Sequence, residues 1–293
     1  MHTEKMERWN KHDIPLRVIV TNMDNVVPTH AHDFIELVIF SKGNAIHSIG
    51  DDNKEIKYSV MQGDCFVIMP NEKHSFESGK QAVYYNIIFS PSVLESAIDE
   101  LKQFENWTAL FGSNNLTERI KVHLNLYDRE IITNFIERLS NELDYCNFGY
   151  KLSARTILIE ILLVILRNTT KEMVVAKTDF HNTPAVMRVI NEMETNSQKH
   201  YTLEELAKKA NMCISGFTKK FRILTGMSPN EYLISLRIEK AQQLLLNSST
   251  PVYEIAEECG FYDINYFIKV FTKYKNITPA KYRKNKKSKL SLE

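Results

Sequence analysis

Two similar segments lie in the C-terminal part of the chain: CISGFTKKFRILTGMSPNEY at residues 213–232 and DINYFIKVFTKYKNITPAKY at residues 263–282. The matching residues are 50 positions apart (267 − 217), and they are Phe217/Phe267, Lys219/Lys269, Phe221/Phe271, Ser228/Thr278, Pro229/Pro279 and Tyr232/Tyr282. Upstream, Leu206-Ala207 matches Ile255-Ala256 with an offset of 49 (255 − 206), so the second copy has gained one residue between its halves. One supersecondary unit is therefore predicted to occur twice.

Each copy is predicted to contain a short helix, a turn and a second helix, at about 203–225 and 252–275. In the second helices, Phe217 and Phe221, or Phe267 and Phe271, recur at helical spacing and are predicted to be core. The opposite faces are polar or basic. This pattern is typical of a helix-turn-helix, whose second helix enters the major groove of DNA.

A single helix is predicted to join the copies, from Pro229 to about Asn247. It would be about 28 Å long at a rise of 1.5 Å per residue. Successive major grooves on one side of DNA lie about 34 Å apart. One chain can therefore hold two reading helices against the same side of a duplex.

The composition is that of a globular protein, with 293 residues, 43% hydrophobic and 25% charged. Glu160 interrupts the longest apolar stretch, which is too short to span a bilayer, and the N-terminus has no apolar signal core. The four cysteines are scattered, and we expect all of them to be buried free thiols. These features predict a cytoplasmic protein that does not interact with a membrane.

The charge is divided unevenly along the chain. Residues 1–183 carry 19 Lys/Arg and 25 Asp/Glu, a net charge of −6, whereas residues 184–293 carry 18 Lys/Arg and 11 Asp/Glu, a net charge of +7. A basic domain indicates a polyanionic partner such as double-stranded DNA.

Residues 1–170 are predicted to form the first domain, 171–183 a linker and 184–293 the second domain. Within 16–90, short strand candidates between Gly, Asn, Asp and Pro turns favour a small barrel or sandwich. Within 92–170 the period becomes helical, with apolar stripes from Ile131 to Leu143 and from Ile157 to Leu166. These stripes are explained either by association of two chains or by packing within one chain.

Residues 201–284 closely resemble the DNA-binding domain of the AraC/XylS family of transcription regulators. The matching residues are Leu206-Ala207, Phe217, Lys219-Lys220-Phe221, Gly226, Ser228-Pro229, Tyr232-Leu233, Arg237, Ala241, Leu244-Leu245, Ile255-Ala256, Gly260-Phe261, Tyr266-Phe267, Val270-Phe271, Thr278-Pro279 and Tyr282-Arg283. The resemblance implies that the DNA-binding residues are Ser215, Thr218, Lys219 and Arg222 in the first copy, and Ile264, Asn265, Lys269 and Lys273 in the second. Ile264 is apolar where the family commonly has a polar reader, and Asn276 stands where the family usually has Gly.

The first domain resembles the cupin barrel. Its signature is His30-x-His32-x₃-Glu36 followed by Gly43, with His74 after Gly63 and Pro70; the segment 70–74 lacks the family's Gly and is one residue short. In metal-binding cupins such residues converge on an ion, whereas the AraC-type sensory barrel commonly keeps the pattern without a metal. The resemblance therefore implies an effector pocket formed by His30, His32, Glu36, Val38 and His74, with no metal, no cofactor and no catalytic residue.

The predicted fold class is α+β, a cupin-like β-barrel with appended helices followed by an all-α domain with two helix-turn-helix motifs. The predicted function is that of a transcription regulator, an activator that binds a promoter operator. A small effector, a sugar being one class, controls it, and its partners are RNA polymerase and a second copy of the chain. One alternative is a metal-dependent cupin enzyme fused to a DNA-binding module. Another is an effector-independent activator whose barrel serves only for dimerisation.

Overall fold

The structure is a computed structural model, and it describes residues 3–6, 13–23, 26–50, 55–77, 82–111, 121–124, 126–167 and 183–290. The chain divides into two compact units, Met1–Phe180 and His181–Glu293. Residues 171–182 of the predicted linker lie outside the described part of the chain.

Ten strands are described in the N-terminal unit. They are β1 (Thr3–Glu4), β2 (Leu16–Met23), β3 (Val27–His32), β4 (Ile35–Lys42), β5 (Asn44–Ile49), β6 (Ile56–Met61), β7 (Asp64–Ile68), β8 (His74–Glu77), β9 (Ala82–Phe89) and β10 (Val122–His123). They form two five-stranded sheets, in the orders β1-β3-β8-β5-β6 and β10-β7-β4-β9-β2. The predicted fold class is confirmed, because the strands make a double-sheet barrel of the cupin type.

An inner core lies between the two sheets. It joins Val38, Phe40 and Phe66 of one sheet with Tyr58 and Phe76 of the other. The residues alternate along β4, so that Glu36, Val38 and Phe40 have the opposite orientation to Ile35, Leu37 and Ile39. All six of these residues are buried, so both faces of β4 are covered.

Helices cover the outer face of the second sheet. A 3₁₀ turn (Pro91–Leu94) and two short helices, α1 (Ile98–Leu101) and α2 (Trp107–Phe111), precede the long antiparallel pair α3 (Leu126–Tyr145) and α4 (Tyr150–Arg167). The two apolar stripes of the sequence belong to one core with Leu16, Leu37, Ile87 and Phe89 of the sheet. Packing within one chain therefore accounts for the stripes, and the interpretation that they join two chains is wrong.

The sequence patterns missed several strands. Strands β3 and β8 were not predicted, because they contain few apolar residues. Strand β6 was also missed, although its apolar and polar residues alternate from Ile56 to Val60. Asn71, in the turn before β8, has the left-handed backbone (φ 67°) that a glycine would otherwise supply.

Seven helices are described in the C-terminal unit. They are α5 (Thr183–Thr195), α6 (Leu203–Lys209), α7 (Ile214–Thr225), α8 (Pro229–Asn247), α9 (Val252–Glu258), α10 (Ile264–Lys275) and α11 (Pro279–Leu290). Capping boxes begin α6 at Thr202 and α8 at Ser228. In each, the hydroxyl of the N-cap residue accepts from the backbone N–H of the Glu three residues later, and the carboxylate of that Glu accepts from the backbone N–H of the N-cap residue. The pair Thr250-Pro251 predicts an N-cap threonine followed by proline at the first helical position, but this is wrong, because Pro251 itself is the N-cap of α9.

The turns of the two copies end their first helices in the same way. Asn211 (φ 53°) and Gly260 (φ 85°) are both left-handed, and the next N–H donates to Ala207 O at 3.0 Å or to Ala256 O at 2.9 Å. The second helix begins after Met212-Cys213 in the first copy and after Phe261-Tyr262-Asp263 in the second. The extra residue of the second copy therefore lies in this turn.

Two further expectations concern the thiols and the membrane. Cys65 and Cys259 are buried, but Cys146 and Cys213 are exposed, so the expectation of four buried thiols is wrong for two of them. Among the residues that the structure describes, every helix is too short or too polar to cross a bilayer.

Candidate functional site

The inner end of the barrel brings together the histidines that the cupin-like signature singles out. His30 and His74 are cross-strand partners on β3 and β8, and His32 ends β3. Glu36 lies on β4 of the other sheet, after the short turn that follows His32. The barrel topology thus assembles residues from three strands into one cluster.

The cluster is tight and almost completely buried. His32, Glu36 and His74 are 1%, 5% and 2% exposed. Glu36 Oε2 lies 3.0 Å from His32 Nε2 and 3.6 Å from His74 Nε2. The ring centre of His30 lies 4.1 Å from that of His74, and Val38 is fully buried on the inner face of β4. All five predicted effector residues are therefore close to the barrel interior, with His30 at its half-exposed rim.

Backbone carbonyls fix the orientation of the imidazoles. His32 Nδ1 lies 2.8 Å from Phe34 O, and His74 Nδ1 lies 3.3 Å from Glu72 O. Because a carbonyl oxygen only accepts hydrogen bonds, each Nδ1 must donate its N–H. In the neutral ring the Nε2 atom then carries a lone pair. Both Nε2 atoms are buried without a hydrogen-bond partner of good geometry.

The charges of the cluster follow from its burial. Burial alone would raise the pKa of the Glu36 carboxyl, but the facing imidazoles of His32 and His74 outweigh it and lower the pKa. Burial lowers the pKa of His74 to about 3, against the attraction of Glu36. At neutral pH the site therefore contains a carboxylate and a neutral His74.

His47 is a further member of the interior that the sequence analysis missed. Its ring packs against both Phe66 and Phe76, with each ring centre 4.7 Å away, and its Nδ1 lies 2.7 Å from Tyr58 Oη. The alternation of Ala45, His47 and Ile49 along β5 was the signal that could have identified it. Burial lowers the pKa of His47 to about 3, so it is a neutral, polar group in an aromatic wall.

A second buried polar cluster, also missed, stands at the edge of the sheet. Asp64 of β7 accepts from Lys121 Nζ and, at 2.7 Å, from His123 Nδ1 of β10. Burial alone would raise the pKa of Asp64, but the Lys121 ammonium and His123 outweigh it and hold the pKa below its usual value. These two contacts of Asp64 link β10 and the residue before it to the sheet, and we assign the cluster a structural role.

The trio His32, Glu36 and His74 has the composition of a metal site. Their ligand atoms all lie within 4.8 Å of one another. Two imidazoles and a carboxylate suit divalent first-row transition metals. The residues therefore fit a metal ion.

The other candidate surface is the pair of equivalent helices α7 and α10. Phe217 and Phe221 are fully buried, as are Phe267 and Phe271. Phe221 meets Tyr232 edge-on at 5.5 Å, and Phe271 meets Tyr282 at the same distance. The two cores thus match in detail, so the two helices are held alike.

The opposite faces of these helices are open to solvent. The exposed residues are Ser215, Lys219, Arg222, Asn265, Lys269 and Lys273. Thr218 and Ile264 are half-buried. The residues that the sequence singled out therefore form two ridges, one on each helix. The second copy also exposes Tyr262 and Tyr266, at 86% and 47%.

The two helices differ at their first turns. Asp263 caps α10, because its Oδ1 accepts from Asn265 N at 2.7 Å and from Tyr266 N at 3.3 Å. Cys213 holds the same position before α7 and makes no side-chain cap. At the far ends, Gly226 and Asn276 take the left-handed C-cap conformation, as expected for Asn276.

Family models match both units of the chain. A model of the AraC-like ligand binding domain matches residues 16–162, just over half of the chain (147 of 293), and a model of a helix-turn-helix domain matches residues 206–285. The HTH-type transcriptional activator RhaR of Escherichia coli O139:H28 is 27% identical over 259 residues, which is 88% of each chain.

Two solved structures are similar to the C-terminal part. The DNA-binding domain of AdpA, in complex with a target DNA, is 30% identical and covers 36% of this chain and 95% of its own, with a TM-score of 0.35. The C-terminal domain of the two-component response regulator yesN from Fusobacterium nucleatum is 39% identical and covers 35% and 98%, with a TM-score of 0.31. Taken with the two family models, the buried polar cluster and the paired helices lead to one conclusion: the chain belongs to the AraC family of DNA-binding transcription regulators.

Proposed function

We propose that this regulator is an activator that binds a promoter operator as a homodimer in the cytoplasm and acts there on RNA polymerase. A small molecule bound among His30, His32, Glu36, Val38 and His74 controls it, and the chain has no catalytic role of its own. The observation that carries the DNA-binding part is the pair of exposed ridges on α7 and α10. The name of RhaR, a transcriptional activator at 27% identity, supports activation.

The two ridges support unequal reading of the operator. The first offers Lys219 and Arg222, whose side chains reach phosphates and guanine edges. The second offers Asn265, which suits adenine, and Ile264, which suits a thymine methyl. We infer that each chain recognises an asymmetric site.

The homodimer rests on the outer surface of the helix pair in the first domain. Tyr145, Phe148 and Leu152, around the turn between α3 and α4, are 74%, 110% and 68% exposed. Exposed apolar residues close together indicate an interaction site. Sedimentation of the full chain over a range of concentrations tests this part, and a monomer throughout would refute it.

The DNA-binding proposal is tested by replacing one lysine on each ridge. The probe is a duplex that the wild-type protein selects from a random pool. We expect Lys219→Ala and Lys269→Ala each to weaken binding, by about 1–3 kcal/mol for a base contact. If the lysine contacts a phosphate instead, we expect the slope of the logarithm of the binding constant against the logarithm of the salt concentration to become shallower by about 0.9.

Lys102→Ala is the matched control, because Lys102 is an exposed lysine of the other unit and its loss changes the net charge equally. Binding and circular dichroism of this variant should equal those of the wild type. If both ridge variants bind the selected duplex with unchanged affinity and salt slope, the assignment of these helices as readers is wrong.

A further inference from the structure

Two ring nitrogens and a carboxylate oxygen meet inside the barrel. His32 and His74 have committed their Nδ1 hydrogens to backbone carbonyls, and the same holds for His30, whose Nδ1 lies 3.0 Å from Pro28 O. The Nε2 atoms of His32 and His74 are therefore the ring nitrogens left to face Glu36 Oε2, at 3.0 and 3.6 Å.

Two ring nitrogens and a carboxylate oxygen held this close in a buried site are a set of atoms that one metal cation can join. Burial without a partner is costly for each group, and both Nε2 atoms lack one. A proton could serve only one nitrogen at a time. A metal ion serves all three donors together, because one ion accepts lone pairs from several ligands.

Two of the donor separations are close to those of a coordination shell, and all three donors lie within 4.8 Å of one another. With bonds of about 2.0–2.1 Å, neighbouring ligand atoms lie about 2.9 Å apart in an octahedral shell and about 3.3 Å apart in a tetrahedral one. The observed separations from Glu36 Oε2 are 3.0 and 3.6 Å. The carbonyl contacts of Nδ1 are the outer partners that metal-bound histidines commonly have.

We propose that the barrel binds one divalent first-row transition metal ion through His32 Nε2, His74 Nε2 and Glu36 Oε2. Three protein ligands leave coordination positions open, and an effector with hydroxyl or carboxylate oxygens would fill them. The binding of an effector to the ion rests on the proposed function, whereas the binding of the ion itself does not. This reading departs from the metal-free pocket that the family resemblance implies.

The test begins with the full chain, stripped by a chelator and dialysed. It is titrated with Zn²⁺, Mn²⁺, Ni²⁺ and Co²⁺, and bound metal is measured by elemental analysis and by the visible spectrum of Co²⁺. We expect one equivalent of at least one of these ions to bind and to raise the melting temperature. No stoichiometric metal with any of the four would overturn the proposal.

Two conservative variants locate the ion. Glu36→Gln keeps the volume of the side chain and removes its charge. His74→Asn keeps a donor near the position of Nδ1, so that the contact with Glu72 O can persist, but has no atom at the position of Nε2. Each is expected to lose the equivalent or to bind at least about tenfold more weakly.

His200→Ala is the control for adventitious binding, because His200 is an exposed histidine of the other unit. It should bind metal as the wild type does. Full stoichiometry in both barrel variants would refute the site. If circular dichroism shows that one variant does not fold, the other variant and the wild-type stoichiometry still decide whether the metal binds at this site.

Binding to the selected DNA duplex is measured on the same samples. If the wild-type protein binds the duplex but no stoichiometric metal, the metal site alone is refuted. Loss of sequence-specific DNA binding by the wild-type protein would refute the proposed function instead.

Discussion

Gly260 is the residue at which a single added carbon should disturb the second helix-turn-helix most. It ends α9 with a left-handed backbone, φ 85°. A Cβ at this position would lie 2.5 Å from Gln198 O and 3.0 Å from the carbonyl carbon of the same residue. Both are backbone atoms, so no side-chain rotation relieves the contact, and Gly260→Ala must move the segment that contains Gln198.

The cost of Gly260→Ala has two parts. The left-handed conformation costs a residue with a Cβ about 1 kcal/mol. Overpacking against the backbone adds about 1–3 kcal/mol, so we expect about 2–4 kcal/mol in total. The segment that must move is also held by Arg237, which donates to Ser197 O at 2.8 Å and to Lys199 O at 2.9 Å.

Gly149 is a matched control for the strain alone. Its φ is also 85°, but nothing lies within 4 Å of the Cβ that an alanine would bring. Gly149→Ala should therefore cost only the conformational part, about 1 kcal/mol, in its own domain.

Hydrogen exchange measured by mass spectrometry separates the two effects. Amides of α9 and α10 in Gly260→Ala should exchange about 30- to 700-fold faster, since about 1.4 kcal/mol corresponds to a factor of ten. Amides at the start of α4 in Gly149→Ala should change by about fivefold. Equal changes in the two variants would show that Gly260 is not in close contact with Gln198 and would refute the argument.

Three further predictions concern the stability of the two units. Phe271→Ala should destabilise the C-terminal unit by about 3–5 kcal/mol, whereas Tyr262→Ala, at an exposed position of the same unit, should change the free energy of unfolding by less than about 0.5 kcal/mol. Denaturant titration checks both. Asp263→Ala should cost about 1 kcal/mol through the lost N-cap of α10, and Cys213→Ser should give α7 an N-cap and stabilise the unit by a similar amount. The two melting temperatures should therefore shift in opposite directions, and shifts of one sign would contradict the cap assignments. The pKa of Asp64 is lowered in the folded state, so its stabilisation is present above the unfolded pKa and is lost as the pH falls through the folded pKa. Asp64→Asn should cost about 3–5 kcal/mol at neutral pH because it removes the buried negative charge that faces Lys121 and His123. The loss should shrink in acid unfolding curves, and an equal loss at every pH would contradict it.

The helical domain could be predicted from the sequence almost completely. Helix α8 has the predicted bounds, and α9 and α10 begin and end at the limits of the predicted range 252–275. Caps, Gly and Pro mark helix ends locally, and the repeat supplied each signal twice. The exception at Thr250 and Pro251 is a shift of one residue.

The barrel could be predicted only in outline. Strands β3 and β8 pair residues about 45 positions apart, such as His30 with His74, and no local pattern specifies such a partner. The same limit explains why the pair of Asp64 and Lys121, separated by 57 positions, was missed. The histidines of the signature could be identified, but their tautomers could not, since these depend on which carbonyl each Nδ1 meets.

Strand β4 carries an inner residue of the candidate effector site and, next to it, residues that support the helix pair. Glu36 points into the barrel, and Ile35 and Leu37 pack into the core shared with α3 and α4. A strand covered on both faces has no compliant side, since protein interiors are packed like crystals. We therefore expect a shift of the β4 backbone at Glu36 to be transmitted through Ile35 and Leu37 to the two long helices.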